Sequence, residues 1–277
     1  MSVAETGTPR SGRLGDLPAR LAVAIPGAAV VAALLWVGDA AWAALVAAVA
    51  GFAAFEAVRL LRDDRRLALA TGALSAGIVA VAAIEGRDAL LPALMTAFAL
   101  LAVGAFSAIR PGDRTASVVA GTLGITWVGA ALAHGVLLRD LEDGGILVLA
   151  VLVGTFLGDT FAHILGSLFG RTPLAPSVSP NKSVEGFVAG VVGGTVCVVL
   201  LAVIVDEPWF ELWEAALFGL AITIAAVCGD LFESALKREA GVKDSGTLLG
   251  AHGGVLDRVD ALLFTVPLGY YLATTLV

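Results

Sequence analysis

The sequence predicts an all-α, polytopic integral membrane protein with about nine transmembrane helices. Three observations carry this. Residues of the types A, V, I, L, M, F, W, Y and C make up 58% of the 277 positions, and mean hydropathy is +0.94. Charged residues make up only 15%, against about 25% in an ordinary soluble domain. Apolar runs of roughly 17–25 residues recur along the chain, each long enough to cross ~30 Å of hydrocarbon as a helix. One aqueous core cannot hide that much apolar surface. A soluble globular enzyme and a disordered chain are therefore excluded.

The spans are read in order from their apolar runs and from the charges that close them. The first, 21–37, follows a polar tail carrying Arg10, Arg13 and Arg20, and only Gly38 and Asp39 divide it from the second, 40–58. Arg59, Arg62, Arg65 and Arg66 separate that span from the third, 67–84. Arg87 precedes the fourth, 89–109, and Arg110 and Arg114 precede the fifth, 117–138. Arg139 leads to the sixth, 146–168, and a polar connection with Arg171 and Lys182 leads to the seventh, 184–205. The eighth is 212–236, and a second polar connection joins it to the ninth, 259–277. The runs are too long and too rich in Ala and Leu for tilted barrel strands. Residues 1–20 form a tail, and 21–277 a single membrane domain whose chemistry-bearing motifs lie in 146–277. No cleavable signal peptide is expected, because the first apolar run lacks a small-residue cleavage pattern.

Charge sidedness orients the bundle. Fifteen of the 17 lysines and arginines fall on one side of a nine-span layout, and only Arg87 and Arg139 fall on the other. The positive side is cytosolic by the positive-inside rule. The expected location is the inner cell membrane, with the N-terminus and the two polar connections in the cytosol. Net charge is −7, which argues against a basic nucleic-acid binder. Cys197 and Cys228 lie in apolar runs and are expected to be small core residues, not a disulfide or a zinc site.

Carboxylates inside spans cost about 2.5–3.5 kcal/mol at a helix centre on insertion scales, so those present need a reason. They are Glu56, Asp159, Asp230 and Glu233. Asp230, Glu233, Ser234 and Lys237 follow at i, i+3, i+4 and i+7 and share one helical face. Glu233 and Lys237 can pair across a turn. Glu56 either pairs with Arg59 or lines a cavity. His134 reads as a packed or hydrogen-bonded helix residue, and His163 lies one turn from Asp159.

The stretch from Ser234 to Asp260 holds four cations: Lys237, Arg238, Lys243 and Arg258. Such groups bind phosphates. Gly253 and Gly254 allow close backbone approach to a ligand. Asp257 and Asp260, with Asp230, form a hard oxygen set suited to Mg2+. No phosphate-binding P-loop and no dinucleotide-binding glycine motif is present.

These residues closely resemble the signature of the phosphatidate cytidylyltransferase (CDP-diacylglycerol synthase) family. The positions are Ser234, Lys237-Arg238, Lys243-Asp244, His252-Gly253-Gly254, Asp257-Arg258 and Asp260. Gly250-Ala251 stands where many members have Pro-Gly. A second match runs through Asp159-Thr160, Ala162, Phe169-Gly170-Arg171, Ser179-Pro180, Lys182, Glu185 and Gly186. There His163 replaces a usual tyrosine, Ser183 a threonine and Val184 a frequent tryptophan. The resemblance covers roughly the last 120 residues and implies nothing residue-specific in the first five spans.

What the resemblance implies is a reaction of CTP with phosphatidic acid, giving CDP-diacylglycerol and pyrophosphate in the bilayer. Asp230, Asp257, Lys237 and Arg258 would be catalytic. Asp230, Asp257 and Asp260 would hold Mg2+, and a second, monovalent cation such as K+ is allowed. Asp159, Ser179, Lys182, Ser183, Ser234, Arg238, Lys243, Asp244, His252, Gly253 and Gly254, with Lys237 and Arg258, would bind the nucleotide and the lipid phosphate. A homodimer is also implied. Two alternatives stay open: a CTP-dependent enzyme acting on another lipid, either a CDP-lipid synthase or a lipid kinase, and an ion-coupled transporter using Asp159, Asp230 and Glu56.

Overall fold

The computed structural model describes residues 31, 33–205, 210–246 and 253–276. Among these, eight helices are long and apolar enough to cross a membrane. They correspond one for one to the second through ninth spans read from the sequence. Of the first span, residues 31 and 33–37 are described and are helical. The remainder of that span and the N-terminal tail lie outside the described residues.

Gly38, at φ 139°, ends the preceding helix in a conformation that side chains disfavour. Helix α1 (Asp39–Leu61) follows, then α2 (Arg65–Glu85), whose first turn is capped by the Asp64 carboxylate accepting from the Arg66 and Leu67 N–H groups. Helix α3 is Leu90–Ala108. The next span, Pro111–Arg139, combines α4 (Arg114–Leu123), a π-helical stretch over Gly124–Ala130 and α5 (Ala131–Arg139). Then come α6 (Gly144–Phe169), α7 (Val184–Val205) and α8 (Leu212–Glu239). The last span divides into a short α9 (Leu256–Val259) and α10 (Leu262–Leu276).

The most extensive helix contact is between α6 and α7. Its cause is a run of small residues at fourfold spacing, Gly186, Gly190 and Gly194, set against Gly154, Gly158, Ala162 and Gly166. A Cβ on Gly190 would lie 2.8 Å from the Gly158 carbonyl oxygen, and one on Gly194 2.9 Å from that of Gly154. Lipid offers no hydrophobic drive for helix association, so close backbone packing of this kind supplies it. Polar links add to it: Thr155 Oγ1 donates to Thr265 Oγ1 at 3.2 Å, and Trp42 Nε1 to the Gly135 carbonyl at 2.9 Å. Trp127 stands edge-on to Phe232 at 4.9 Å, tying the π-helical stretch to α8.

Two ion pairs across elements agree with the sidedness. Arg62 meets Asp113 at 2.8 Å, and both lie at connections assigned to the positive face. Arg139 meets Asp39 at 3.4 Å at the opposite ends of the helices.

The sixth connection, read from the sequence as a polar loop, is a small antiparallel hairpin of β1 (Pro173–Ala175) and β2 (Ser179–Ser183). The pairing is brought about by a three-residue turn between two short strands, too short for a hydropathy scan to register. Cys197 is half-buried and Cys228 is exposed, which corrects the expectation of core positions. In a bilayer an apolar side chain needs no protein around it, so an apolar setting does not imply burial. His134 is buried as expected, with its ring nitrogens within 2.7 Å of the Ala130 carbonyl and 3.2 Å of the Tyr271 hydroxyl.

Candidate active site

Four segments meet at the positive face: the end of α6 with its hairpin, the end of α8, the start of the last span, and the end of α1. The short hairpin carries Lys182 to α8, where its ammonium lies 2.5 Å from an Asp230 carboxylate oxygen. The other Asp230 oxygen accepts from the Ser234 hydroxyl at 3.2 Å, one turn along the same helix. Asp159 on α6 lies within electrostatic reach of Asp230, Lys182 and His163. The glycine-mediated approach of α7 to α6 is what draws these groups together. Ser183 ends β2, and its hydroxyl oxygen accepts the Gly186 N–H at 3.1 Å, capping α7. Glu185 accepts from the Arg171 and Thr172 N–H groups, at 3.0 and 3.2 Å, and so pins the start of the hairpin.

Lys237 is the second junction. Its ammonium lies 2.5 Å from Glu233 and 2.7 Å from Asp257. Glu233 is 1% exposed, so its charge depends on this partner. Asp257 is held further by the Ser245 N–H at 3.0 Å and the Gly254 N–H at 2.7 Å. Gly253 has φ 79°, and a Cβ there would stand 2.6 Å from an Asp257 oxygen. The turn therefore requires glycine twice over. Gly229, next to Asp230, lets α8 press against the last span, since a Cβ on it would lie 2.7 Å from the Asp260 carbonyl. That contact brings Asp260 within electrostatic reach of Asp230. An Asp260 carboxylate oxygen accepts the Ala261 N–H at 2.8 Å.

Glu56 closes the site from α1. It is 5% exposed and accepts the Leu256 N–H at 2.8 Å, across 200 positions of sequence. A Cβ on Gly246 or on Gly254 would collide with its carboxylate. Of the two sequence readings, pairing with Arg59 is not what is found: Arg59 pairs with Asp63 at 2.7 Å, one turn on, and Glu56 lines a cavity. Nothing local could have revealed the Leu256 contact. Glu233 carried a local signal, its i+4 spacing to Lys237, but not the Asp257 contact that completes the bridge.

The remaining candidates are placed as follows. Arg238 Nε donates to the Val178 carbonyl at 3.2 Å, fastening the hairpin turn to α8. Ser179 pairs with Ala175 in the hairpin. Lys243, Asp244 and Arg258 are exposed at the same face. His252 lies outside the described residues.

The proposed metal set can be tested on donor chemistry. Asp230 on α8 and Asp257 and Asp260 on the last span bring hard carboxylate oxygens, which suit Mg2+. Among the described residues no group of three or more His, Cys, Asp or Glu side chains is arranged to hold a metal ion. Lys182 and Lys237 instead neutralise Asp230 and Asp257. Mg2+ is commonly held by one or two carboxylates and substrate phosphates, so the donor set fits without a complete protein cage.

Comparison with known proteins gives the following. A family model described as the cytidylyltransferase family matches residues 18–276. A phosphatidate cytidylyltransferase of Mycobacterium leprae (strain TN) is 30% identical over an alignment covering 97% of this chain and 90% of the relative. A protein of the same name from Synechocystis sp. (strain ATCC 27184 / PCC 6803 / Kazusa) is 42% identical over 50% of this chain and 46% of its own length. The uncharacterized protein YnbB of Escherichia coli (strain K12) is 36% identical over 64% and 60%.

Proposed function

The chain belongs to the cytidylyltransferase family and is a membrane nucleotidyltransferase, and we propose that it converts CTP and phosphatidic acid to CDP-diacylglycerol and pyrophosphate. A phosphate oxygen of the lipid forms a bond to the α-phosphorus of CTP. The bond from that phosphorus to the bridging oxygen of the β-phosphate breaks, and pyrophosphate carries away the electron pair. A phosphate monoester is already largely ionised near neutrality, so the attacking oxygen needs no strong base.

The observation that carries the reading is the pair of lysine–carboxylate junctions, Lys182–Asp230 and Lys237–Glu233/Asp257, at one end of the membrane helices. Two polyanionic reactants must approach each other there without repulsion. Each ammonium has three N–H donors. Lys237 directs one to Glu233 and one to Asp257, which leaves a third for a phosphate oxygen. Lys182, held by Asp230, presents its remaining donors beside the Asp159 side of the cleft. Arg238, Lys243 and Arg258 clamp the nucleotide phosphates, and Lys243 chiefly sets nucleotide affinity. Gly253, Gly254, Ser179, Ser183, Ser234, Asp244 and His252 complete the binding surface. Mg2+ held by Asp230, Asp257 and Asp260 supplies charge neutralisation on the phosphates when bound. K+ as a second cation, a homodimer, the inner cell membrane and cytosolic loops belong to the same proposal, the last supported by the lysine and arginine asymmetry.

The test is turnover of the purified chain in detergent with CTP, phosphatidic acid and Mg2+, with products separated by chromatography. Equal amounts of CDP-diacylglycerol and pyrophosphate are expected. Release of CDP with a newly phosphorylated lipid would identify a kinase, and flux across proteoliposomes without CTP turnover would identify a transporter. Either outcome overturns the reading.

A further inference from the structure

A large cavity lies mostly outside the residues that the family motif names, with Asp244 the motif residue on its lining. It is a groove of about 1250 Å³ between α1 and α2, roofed by residues 240–246. Ordinary small-molecule pockets run about 300–1,000 Å³. Its walls change character along their length. One part of the lining is apolar, with Phe52, Phe55 and Leu69, and includes the Gly51–Gly72 crossing, where a Cβ on Gly72 would stand 2.6 Å from the Gly51 carbonyl. The mouth carries Arg59, Arg62 and Arg65.

The dimensions match one leaflet. From Leu61 to Ala47 the lining covers about 21 Å of α1, and from Arg65 to Ala76 about 16 Å of α2, at ~1.5 Å per residue. One leaflet is about 15 Å of hydrocarbon and about 20–22 Å with its headgroup region. Phe52 and Leu69 are exposed, so the apolar wall faces the bilayer directly. Carboxylates also line the mouth. Asp63 is paired with Arg59, Glu56 is buried and turned to the Leu256 N–H, and Asp244 is exposed. Arg62 is paired with Asp113 through one nitrogen. Among the described residues Arg65 is exposed and has no ion-pair partner. Each guanidinium has five donors, so one carboxylate contact does not exhaust it. The groove is also continuous with the active site: Ser245 lines it and donates to Asp257, and Glu56 lines it and holds Leu256.

We propose that the α1–α2 groove is the lipid-substrate site, taking an acyl chain between the helices and the phosphate monoester of phosphatidic acid at Arg59, Arg62 and Arg65. This rests on the function proposed above and extends it to the half of the chain where the motif is silent. The lipid reaches Asp257 by way of the Glu56–Ser245 wall without its chains leaving the bilayer.

The experiment uses the full chain in proteoliposomes and two photoactivatable lipids, a phosphatidic acid and a phosphatidylcholine, with labelled peptides mapped by mass spectrometry. Labelling within 48–76 by the phosphatidic acid probe is expected, well above the phosphatidylcholine probe. Arg65→Ala removes an exposed cation, and Ala73→Phe fills an exposed part of the wall. Each is expected to cut labelling and raise the KM for lipid by about five- to tenfold, Arg65→Ala by losing one charge-assisted contact and Ala73→Phe by occupying space an acyl chain would fill, with the KM for CTP within about twofold. Label elsewhere, or an unchanged lipid KM in both variants while the wild type turns over, overturns the groove and leaves the function standing. Selective labelling without any CDP-diacylglycerol from the wild type has the reverse meaning. A change of oligomeric mass in Ala73→Phe, read by light scattering, with lipid KM unaltered, would identify a second copy of the chain as the occupant and also overturn the proposal.

Discussion

The two halves of the molecule treat charge differently. In residues 144–276 carboxylates and lysines are dense along the chain, and one pair, Glu233 and Lys237, is a single turn apart, so the cluster reads as a candidate site from the chain order alone although the Lys182–Asp230 and Lys237–Asp257 contacts do not. In residues 39–139 the charges collect at the helix ends, and a single buried carboxylate, Glu56, looks isolated until the fold carries it to Leu256. The comparison teaches that the C-terminal half holds the paired charges of the candidate site and the N-terminal half supplies the wall that holds their loop. A buried acid with no local partner then marks a contact between halves.

The sharpest way to break that division is Asp257→Asn. It removes a charge held by Lys237 and two N–H groups. Breaking a buried pair from one side costs about 3–5 kcal/mol, so turnover is expected to fall by about 100-fold or more. Undiminished pyrophosphate release would end the catalytic assignment. Next is Glu56→Ala, which leaves the Leu256 N–H without its acceptor at a cost of about 1–3 kcal/mol. A fall of about tenfold or more in kcat is expected, with Glu56→Gln, which retains an acceptor, recovering most of it. Equal loss in both variants would show that Glu56 acts by its charge and not by positioning.

Lys182→Ala should cost about tenfold in kcat/KM by removing the cation from Asp230. A change confined to thermal stability would make the hairpin structural only. Gly194→Ala tests the scaffold behind it. Its Cβ would press on the Gly154 carbonyl and Thr223, and overpacking of this kind costs about 1–3 kcal/mol. A lowered Tm with substrate KM values unchanged is expected. The smallest effect is expected from Arg139→Ala, at the far end of the bundle. Its pair with Asp39 is long and half in water, and activity should stay within about twofold.

The legibility of the molecule follows the same division. Helix ends near Arg59, Arg87, Arg139 and Lys237 could be read to within a few residues because a charge at the end of an apolar run is a local event. Asp230, Ser234 and Lys237 could be read because helical spacing puts them on one face. Lys182 was legible as a candidate, but not as the partner of Asp230, because the hairpin that delivers it depends on strand pairing and on the α6–α7 glycine contact. The Glu56 contact was illegible for a plainer reason: it spans 200 positions, and no periodicity extends that far.

The sequence by itself determined that the chain crosses a membrane as helices, at which helix ends the cations gather, and which residues of the last two spans are candidates for the chemistry. Each follows from the free energy of moving a side chain or a short segment between water and hydrocarbon, a quantity set locally. Only the tertiary structure decided that Lys237 joins Glu233 to Asp257, that Glu56 supports the turn at Leu256, and that α1 and α2 leave a groove beside it. Those depend on how closely helix backbones approach, and small residues far apart in the chain set that approach together.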